Sequence, residues 1–219
     1  MQNKYFGDIH DFYKYYLLKR ISEHFSLGIN WCLVSDENSK DGNKKLTGKE
    51  NKLDSKLYGL LNGQNNKDIK NIKPYFSQKT KYFDELHKSY HLKSIYEKNG
   101  FEKLSKQDIV FFDPDNGFEV LTTNNKNKFK YLSYDTIEKY WLNGNSMIIY
   151  QHLKRDKNYL EDIIQKITEL LKIPKIGYLN IIRRGHVDYI FIIQKKHRLL
   201  HDIIADFVNK NGEYKILEI

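Results

Sequence analysis

The stretch Asp108-Ile-Val-Phe-Phe-Asp-Pro-Asp-Asn-Gly-Phe118 decides how the chain folds, because a short apolar run ends abruptly in a polar cluster. Residues 109–112 favour strand structure and cannot alternate between core and water. They therefore predict a strand covered on both faces, as in a parallel sheet flanked by helices. Pro114 and Gly117 interrupt strand pairing just beyond this run.

Three polar side chains follow the predicted strand at once: Asp113, Asp115 and Asn116. Pro, Asp, Asn and Gly are common turn residues, so a polar turn that closes a core strand is the simpler interpretation. Two carboxylates and an amide exceed what a turn needs, however, and open α/β sheets bind ligands where their strands end. We therefore predict that all three residues are catalytic.

A second apolar run, residues 147–150, predicts another buried strand, and it too ends in a polar cluster. Two neighbouring parallel strands would bring this cluster and Asp113 to the same edge of the sheet. His152 is thus a further catalytic candidate. The candidates for binding substrate or phosphate in this cluster are Gln151, Lys154 and Arg155.

The amino-terminal segment is a third polar cluster, Gly7-Asp8-Ile9-His10-Asp11, followed by apolar residues at helical spacing. Asp8 or Asp11 is placed to cap this helix. His10, Asp11 and Lys14 would share the end of the helix that favours an anion. The structural alternative is that Asp11 is only a cap and Lys14 only a solvated side chain.

The rest of the chain predicts a single α/β domain. A strand over residues 30–35 ends at Asp36, and no glycine-rich fingerprint follows it. Residues 38–75 are polar and predict a loop-rich insertion. Near the carboxyl end, two β-rich runs predict a hairpin with a basic tip at Arg183 and Arg184, which we add to the phosphate-binding candidates.

The composition indicates a soluble cytoplasmic protein with a nucleic-acid partner. Among the 219 residues, 37 Lys and Arg face 28 Asp and Glu, which gives a net charge of +9. This surplus favours polyanions, although a general bias towards Lys and Asn would produce the same charge. A single cysteine, Cys32, excludes an internal disulfide, and no apolar run reaches the ~18 residues of a membrane span.

Two of these motifs carry a resemblance to a known family. Residues 7–15, Gly-Asp-Ile-His-Asp-Phe-Tyr-Lys-Tyr, are similar to the Gly-Asn-x-x-Asp-x-x-Lys-His segment of the RlmJ-type adenine-N6 methyltransferases of large-subunit ribosomal RNA. Asp113-Pro114 resembles the start of their Asp-Pro-Pro-Tyr motif, and the predicted closing hairpin resembles the Rossmann-like methyltransferase fold. The patterns Tyr-Phe-Gly-Asp-x-His-Asp-Phe and Phe-Phe-Asp-Pro-Asp-Asn-Gly are also similar to those of a group of small bacterial proteins.

The resemblance implies S-adenosylmethionine as the cofactor and an amino group in nucleic acid, with RNA favoured, as the methyl acceptor. Asp113 would bind the amino group, and Phe118 would be the nearest aromatic residue to stack on the target base. Asp115-Asn116 departs from the family's Pro-Tyr, and Asp8 and Tyr15 replace its Asn and His. The residues expected at the cofactor are Gly7, Asp8, His10, Asp11, Lys14, Asp36 and Pro114.

Two other functions fit the same residues. Asp113 and Asp115 would be the metal ligands of a Mg²⁺-dependent nuclease or phosphohydrolase, with His10 or His152 as the base. The same Asp-x-Asp pattern resembles the nucleophile motif of haloacid-dehalogenase-type phosphatases. The third possibility is a non-catalytic, nucleic-acid-binding or defence-associated protein.

Overall fold

The computed structural model describes residues 1–37, 44–63, 67–119, 125–156, 158–172 and 177–217. Within these ranges the strands are β1 (Leu27–Asn30), β2 (Lys81–Phe83), β3 (Ile109–Phe112), β4 (Ser146–His152), β5 (Gly177–Arg184), β6 (Val187–Gln194) and β7 (Lys215–Leu217). The α-helices are α1 (Ile9–Ser22), α2 (Lys49–Leu53), α3 (Ser55–Leu61), α4 (Lys93–Leu104), α5 (Tyr134–Leu142), α6 (Tyr159–Leu171) and α7 (Leu199–Lys210). None of the helices in these ranges combines the length and the apolarity that a bilayer crossing requires.

The strands form one mixed sheet in the order β2-β1-β3-β4-β6-β5-β7. The first four strands along this order are parallel to one another. β6 then runs antiparallel to both β4 and β5, and β7 pairs antiparallel with β5. The predicted α/β class and closing antiparallel hairpin are therefore confirmed.

The central strand β3 is buried on both faces, as its unbroken apolar sequence predicts. Successive side chains of a strand point to opposite faces. Ile109 and Phe111 accordingly pack into the same core as α1 and α7, whereas Val110 and Phe112 pack into the same core as α4, α5 and α6. Helices thus cover both faces of the sheet, and both cores include residues of β3.

The strand predicted over residues 30–35 is misplaced, because β1 ends at Asn30. Asn30 Oδ1 accepts a hydrogen bond from the Cys32 N–H at 2.9 Å, and Cys32 has a φ of 45°, in the left-handed region. This conformation takes the chain out of the sheet. Trp31, Leu33 and Val34 are buried beyond the strand, which explains why the sequence there is apolar.

The polar stretch from residue 38 to 75 contributes to the core. Its described part contains α2, α3 and a 3-10 helix, Ile69–Tyr75. Leu57 and Leu61 of α3 are buried in the same hydrophobic core as the apolar residues of α1. Residues 38–43 and 64–66 lie outside the described ranges.

Candidate active site

A cavity of about 760 Å³ opens at the edge of the sheet where β3 and β4 end and α1 begins. The three polar clusters of the sequence meet here, because the fold brings the ends of β3 and β4 and the start of α1 to one edge of the sheet. The predicted site residues that line the cavity are Asp8, His10, Asp11, Lys14, Asp113, Pro114, Asp115, Asn116, His152, Lys154 and Arg155.

The start of α1 directs its acidic residues towards the cavity. Asp8 caps the helix, because its carboxylate accepts a hydrogen bond from the Asp11 N–H at 2.9 Å. Asp11 Oδ2 in turn accepts one from the Gly7 N–H at 3.1 Å. Gly7 has a φ of 90°, and a Cβ at this position would lie 2.8 Å from the carbonyl oxygen of Leu61, so only glycine fits here without a shift of the chain. Gly7 therefore supports the site without lining the cavity.

A buried ionic cluster forms the floor of the cavity. Lys14 Nζ lies 2.6 Å from Asp11 Oδ1 and 2.7 Å from Asp113 Oδ2, and all three side chains are at most 4% exposed. Burial alone would lower the pKa of Lys14. The carboxylates of Asp11 and Asp113 outweigh that effect and hold the pKa well above its ordinary value. Lys14 is thus a permanent cation in the floor, and the interpretation of a solvated lysine is wrong.

The turn after β3 is held by contacts to both of its polar residues. The Gln2 side-chain amide donates to Asp115 Oδ1 at 3.2 Å and Oδ2 at 3.1 Å. The Asn116 N–H donates to the carbonyl oxygen of Lys130 at 3.1 Å. Asp115 and Asn116 remain partly exposed, and they form one wall of the cavity.

Two titratable groups at the start of α1 have strongly shifted pKa values. Burial, with help from the Asp11 carboxylate, raises the pKa of Asp8 to about 7. Burial, with help from the Arg184 guanidinium, lowers the pKa of His10 to about 4. Near neutral pH the His10 imidazole is therefore uncharged, and the Asp8 carboxyl group ionises at a higher pH than an ordinary aspartate does.

The mouth of the cavity is basic. Lys44, Arg155 and His186 are exposed there, and Lys154 is half-buried. Lys154 Nζ donates to the carbonyl oxygen of Phe118 at 3.1 Å, which fixes this ammonium beside the turn after β3. The cavity therefore has an acidic floor around Lys14 and a rim that attracts anions.

Gln151, a candidate for binding substrate or phosphate, does not line the cavity. Alternation along β4 directs Tyr150 and His152 towards the cavity and Gln151 to the other side. Gln151 is completely buried. Its side chain accepts from the Phe118 N–H at 2.9 Å and donates to the His152 carbonyl at 2.7 Å, so it braces the turn after β3.

The two hairpin arginines are also absent from the cavity wall. Arg183 Nε lies 2.6 Å from the fully buried Asp188 carboxylate. Arg184 is buried with its guanidinium carbon 3.4 Å from the centre of the Tyr13 ring. Both residues lie in β5, and Gly185 and His186 form the turn, because a tight turn leaves only these residues outside the paired strands.

Two further candidates lie elsewhere than predicted. Asp36 is exposed, and its carboxylate accepts from the Lys4 N–H at 3.1 Å; the adjacent Glu37 lines the cavity instead. Phe118 is fully buried and stacks on Tyr134 with 5.1 Å between ring centres, so it cannot stack on a base. Its position follows from its pairing with Leu132, which takes the chain back into the core.

Several cavity residues lie outside the three polar clusters or were not among the predicted site residues. Tyr5, Tyr131 and Tyr150 supply aromatic rings to the wall, and Gln2 and Lys44 supply polar groups. Tyr150 had a detectable signal, since it is the last apolar residue before the second polar cluster and shares a strand face with His152. Tyr5 also begins the pattern Tyr-Phe-Gly-Asp-x-His-Asp-Phe, whereas Gln2, Lys44 and Tyr131 come from segments that no local pattern connects to the sheet edge.

The metal alternative lacks a ligand set. Across the part of the chain that the structure describes, no group of three or more His, Cys, Asp or Glu side chains is arranged to hold a metal ion. Asp113 Oδ2 is paired with Lys14, and the Gln2 amide contacts both oxygens of Asp115. One oxygen of Asp113 and both oxygens of Asp115 are therefore engaged by donors of this chain.

Comparison with known proteins assigns the chain to no family. No family model matches it, and neither the curated proteins nor the solved structures contain a match.

Proposed function

We propose that the chain is an S-adenosylmethionine-dependent, methyltransferase-like protein that acts on an amino group in nucleic acid, with RNA favoured. One observation carries the proposal. The two segments that resemble the RNA methyltransferases meet in direct contact at one cavity, through the 2.7 Å pair between Lys14 and Asp113. Nothing in the local sequence requires residues so far apart to meet, so their contact supports a shared site.

The strand order supports the same proposal. The antiparallel strand β6 lies between β4 and β5, which are parallel to each other. An antiparallel strand inserted next to the edge of a parallel sheet is typical of the Rossmann-like methyltransferase fold that the sequence resembles. The cavity also lies at the carboxyl ends of β3 and β4, where open α/β sheets bind ligands.

The residues present fit the charge and shape of the cofactor. A sulfonium nucleoside carries a positive centre, an α-amino group and a flat base. The Asp8 carboxylate would hold a positive group, and the rings of Tyr5 and Tyr150 would pack against the base. When bound, the cofactor supplies an electrophilic methyl group. No glycine-rich turn follows β1, so side chains of the cavity would replace backbone contacts in holding it.

The residues of this chain would contribute to the chemistry by aligning the amino group and by excluding water from the buried floor of the cavity. Asp113 Oδ1 makes no hydrogen bond to any of the described residues, whereas Oδ2 is occupied by Lys14. Oδ1 is therefore the acceptor that would hold an amino group, with the carboxylate fixed in position by the Lys14 contact. Methyl transfer needs mainly such positioning, because a bound nucleophile at the correct angle gains most of the available rate enhancement.

Thermal unfolding with and without ligand tests the proposal. S-adenosylmethionine or its demethylated product at millimolar concentration should raise the melting temperature of the wild-type protein, because a ligand bound only by the native state stabilises it. Asp113→Asn should also abolish transfer of a labelled methyl group to bulk RNA. Asp202→Asn, at an exposed position on α7, is the matched control. No thermal shift with either form of the cofactor would refute the proposal.

A further inference from the structure

Tyr131 places an aromatic ring beside basic side chains at the mouth of the cavity. Its half-buried ring lines the cavity together with Lys154 and Arg155. Lys154 Nζ is 5.9 Å from the centre of the ring. An aromatic face next to cations is the combination by which proteins bind single-stranded nucleic acid, because the bases stack and the cations contact phosphate.

The ring and the lysine are held by the same turn. Residues on both sides of Tyr131 pair with the segment after β3: Lys130 accepts from the Asn116 N–H at 3.1 Å, and the Leu132 N–H donates to Gly117 at 3.0 Å. Lys154 Nζ contacts the next carbonyl along that segment, that of Phe118, at 3.1 Å. The stacking surface and the phosphate-binding cation are therefore positioned before any ligand arrives, which reduces the entropy lost on binding.

The shape of the site favours a single strand over a duplex. Tyr131 lines the same cavity as the acidic floor residues Asp11 and Asp113, so a base that stacks on it must enter a concave site. A base inside a duplex has both of its faces covered. Only an unpaired or extruded nucleotide can present a base face to a ring in such a position. A phosphate next to that nucleotide would meet the basic rim at Lys154 and Arg155.

We propose that Tyr131 is the stacking platform for one base of a single-stranded polynucleotide, and that Lys154 and Arg155 bind the phosphate next to that base. This inference rests on the proposed function, since the same strand would carry the methyl acceptor into the cavity. It adds the substrate class, single-stranded rather than double-stranded, and the residue that selects it.

Fluorescence anisotropy with a labelled 12-nucleotide RNA, in the absence of cofactor, tests the inference. The single strand should bind at least about ten-fold more tightly than the duplex of the same sequence. Tyr131→Ala should weaken single-strand binding about ten-fold, as loss of one stacked base predicts. Tyr131→Phe should retain the affinity, because the ring and not the hydroxyl makes the contact.

Salt dependence separates the two kinds of contact. Lys154→Gln should reduce the slope of log affinity against log salt concentration by about 0.7, the value for one phosphate on a single strand. Tyr131→Ala should leave that slope unchanged, since stacking releases no counterion.

Tyr90→Ala is the matched control. Tyr90 is an exposed tyrosine with Lys128 Nζ 6.0 Å from its ring centre, but it lies outside the cavity. Equal losses in Tyr131→Ala and Tyr90→Ala, or equal affinity for duplex and single strand, would overturn the inference. The anisotropy assay contains no cofactor, so it tests RNA binding independently of methyl transfer. If RNA binding depends on Tyr131 but the protein binds no cofactor in the thermal-shift experiment, only the proposed methyl transfer is refuted. Cofactor binding without single-strand binding would refute only this inference.

Discussion

Lys14 Nζ lies 2.7 Å from Asp113 Oδ2, and both side chains are almost completely buried. The contact joins the first turns of α1 to the end of the central strand β3. Its second carboxylate partner, Asp11, lies within the same helix. The floor of the cavity therefore depends on one ammonium group between two carboxylates that are at most 4% exposed.

Lys14→Met should destabilise the protein strongly. The substitution nearly preserves the volume of the side chain but leaves Asp11 and Asp113 buried without their cation. Breaking a buried ion pair from one side costs about 3–5 kcal/mol. Urea unfolding at pH 7 measures the change in the free energy of unfolding, and Arg20→Met, at an exposed position on the same helix, should change it by less than about 1 kcal/mol. Similar losses in the two variants would contradict the assigned role of the ionic cluster.

The central part of the sheet could be predicted because β3 and β4 are continuous apolar runs. Such runs have no exposed face, which restricts them to the middle of a parallel sheet. β1 was harder to locate, because Gly28 and Asn30 interrupt its apolar character while the segment after it, Trp31 to Val34, looks more like a strand. That segment is buried by packing outside the sheet, and local sequence does not distinguish the two kinds of burial.

Site residues could be predicted where a polar cluster directly follows a strand. They could not be predicted where a side chain is buried by residues that are distant in the sequence. Asp113 and His152 line the cavity because their positions in the strands place them there. Gln151 is adjacent to His152 but points to the opposite side, and strand alternation could have revealed this once the end of β4 was known. The stacking of Arg184 on Tyr13 joins β5 to α1, and no pattern within either segment indicates it.

Gly117→Ala should destabilise the protein by more than a positive φ alone explains. Gly117 has a φ of 74°, and a Cβ there would lie 2.2 Å from Gln151 Oε1. Gln151 cannot move aside without losing its hydrogen bonds to Phe118 and His152. We expect a loss of about 3–4 kcal/mol, from about 1–2 kcal/mol for the left-handed conformation and about 1 kcal/mol for each of the two disturbed hydrogen bonds.

Gly48→Ala isolates the backbone part of that loss. Gly48 has a φ of 88° with nothing within 4 Å of an added Cβ, so only the conformational cost of about 1–2 kcal/mol applies. Thermal or urea unfolding of both variants gives the difference. If the two glycines cost the same, Gln151 does not brace the turn as described.

His10→Gln should reduce the acid sensitivity of the fold. The pKa of His10 is lowered from 6.5 to about 4, so between these pH values the unfolded chain binds a proton that the folded protein does not. Stability from this residue is therefore present above pH 6.5 and is lost as the pH falls towards 4. Burial also lowers the pKa of His87 to about 4, so the variant should retain part of the slope. Urea unfolding at several pH values measures how the free energy of unfolding depends on pH. His24→Gln, at an exposed position, is the control. An unchanged slope in His10→Gln would contradict the burial of His10.

Asp8→Asn should stabilise the protein at pH 8 and leave it nearly unchanged at pH 4. Burial, followed by the nearby Asp11 carboxylate, raises the pKa of Asp8 from 3.8 to about 7, so the folded state binds a proton in this range that the unfolded chain has released. The contribution of Asp8 to stability therefore decreases as the pH rises from 3.8 to about 7. Asparagine caps a helix about as well as aspartate, so the substitution removes the charge and keeps the hydrogen bond to the Asp11 N–H. Unfolding free energies of the two proteins, measured from pH 4 to pH 8, should diverge as Asp8 ionises; parallel curves would mean that Asp8 is solvated in the folded protein.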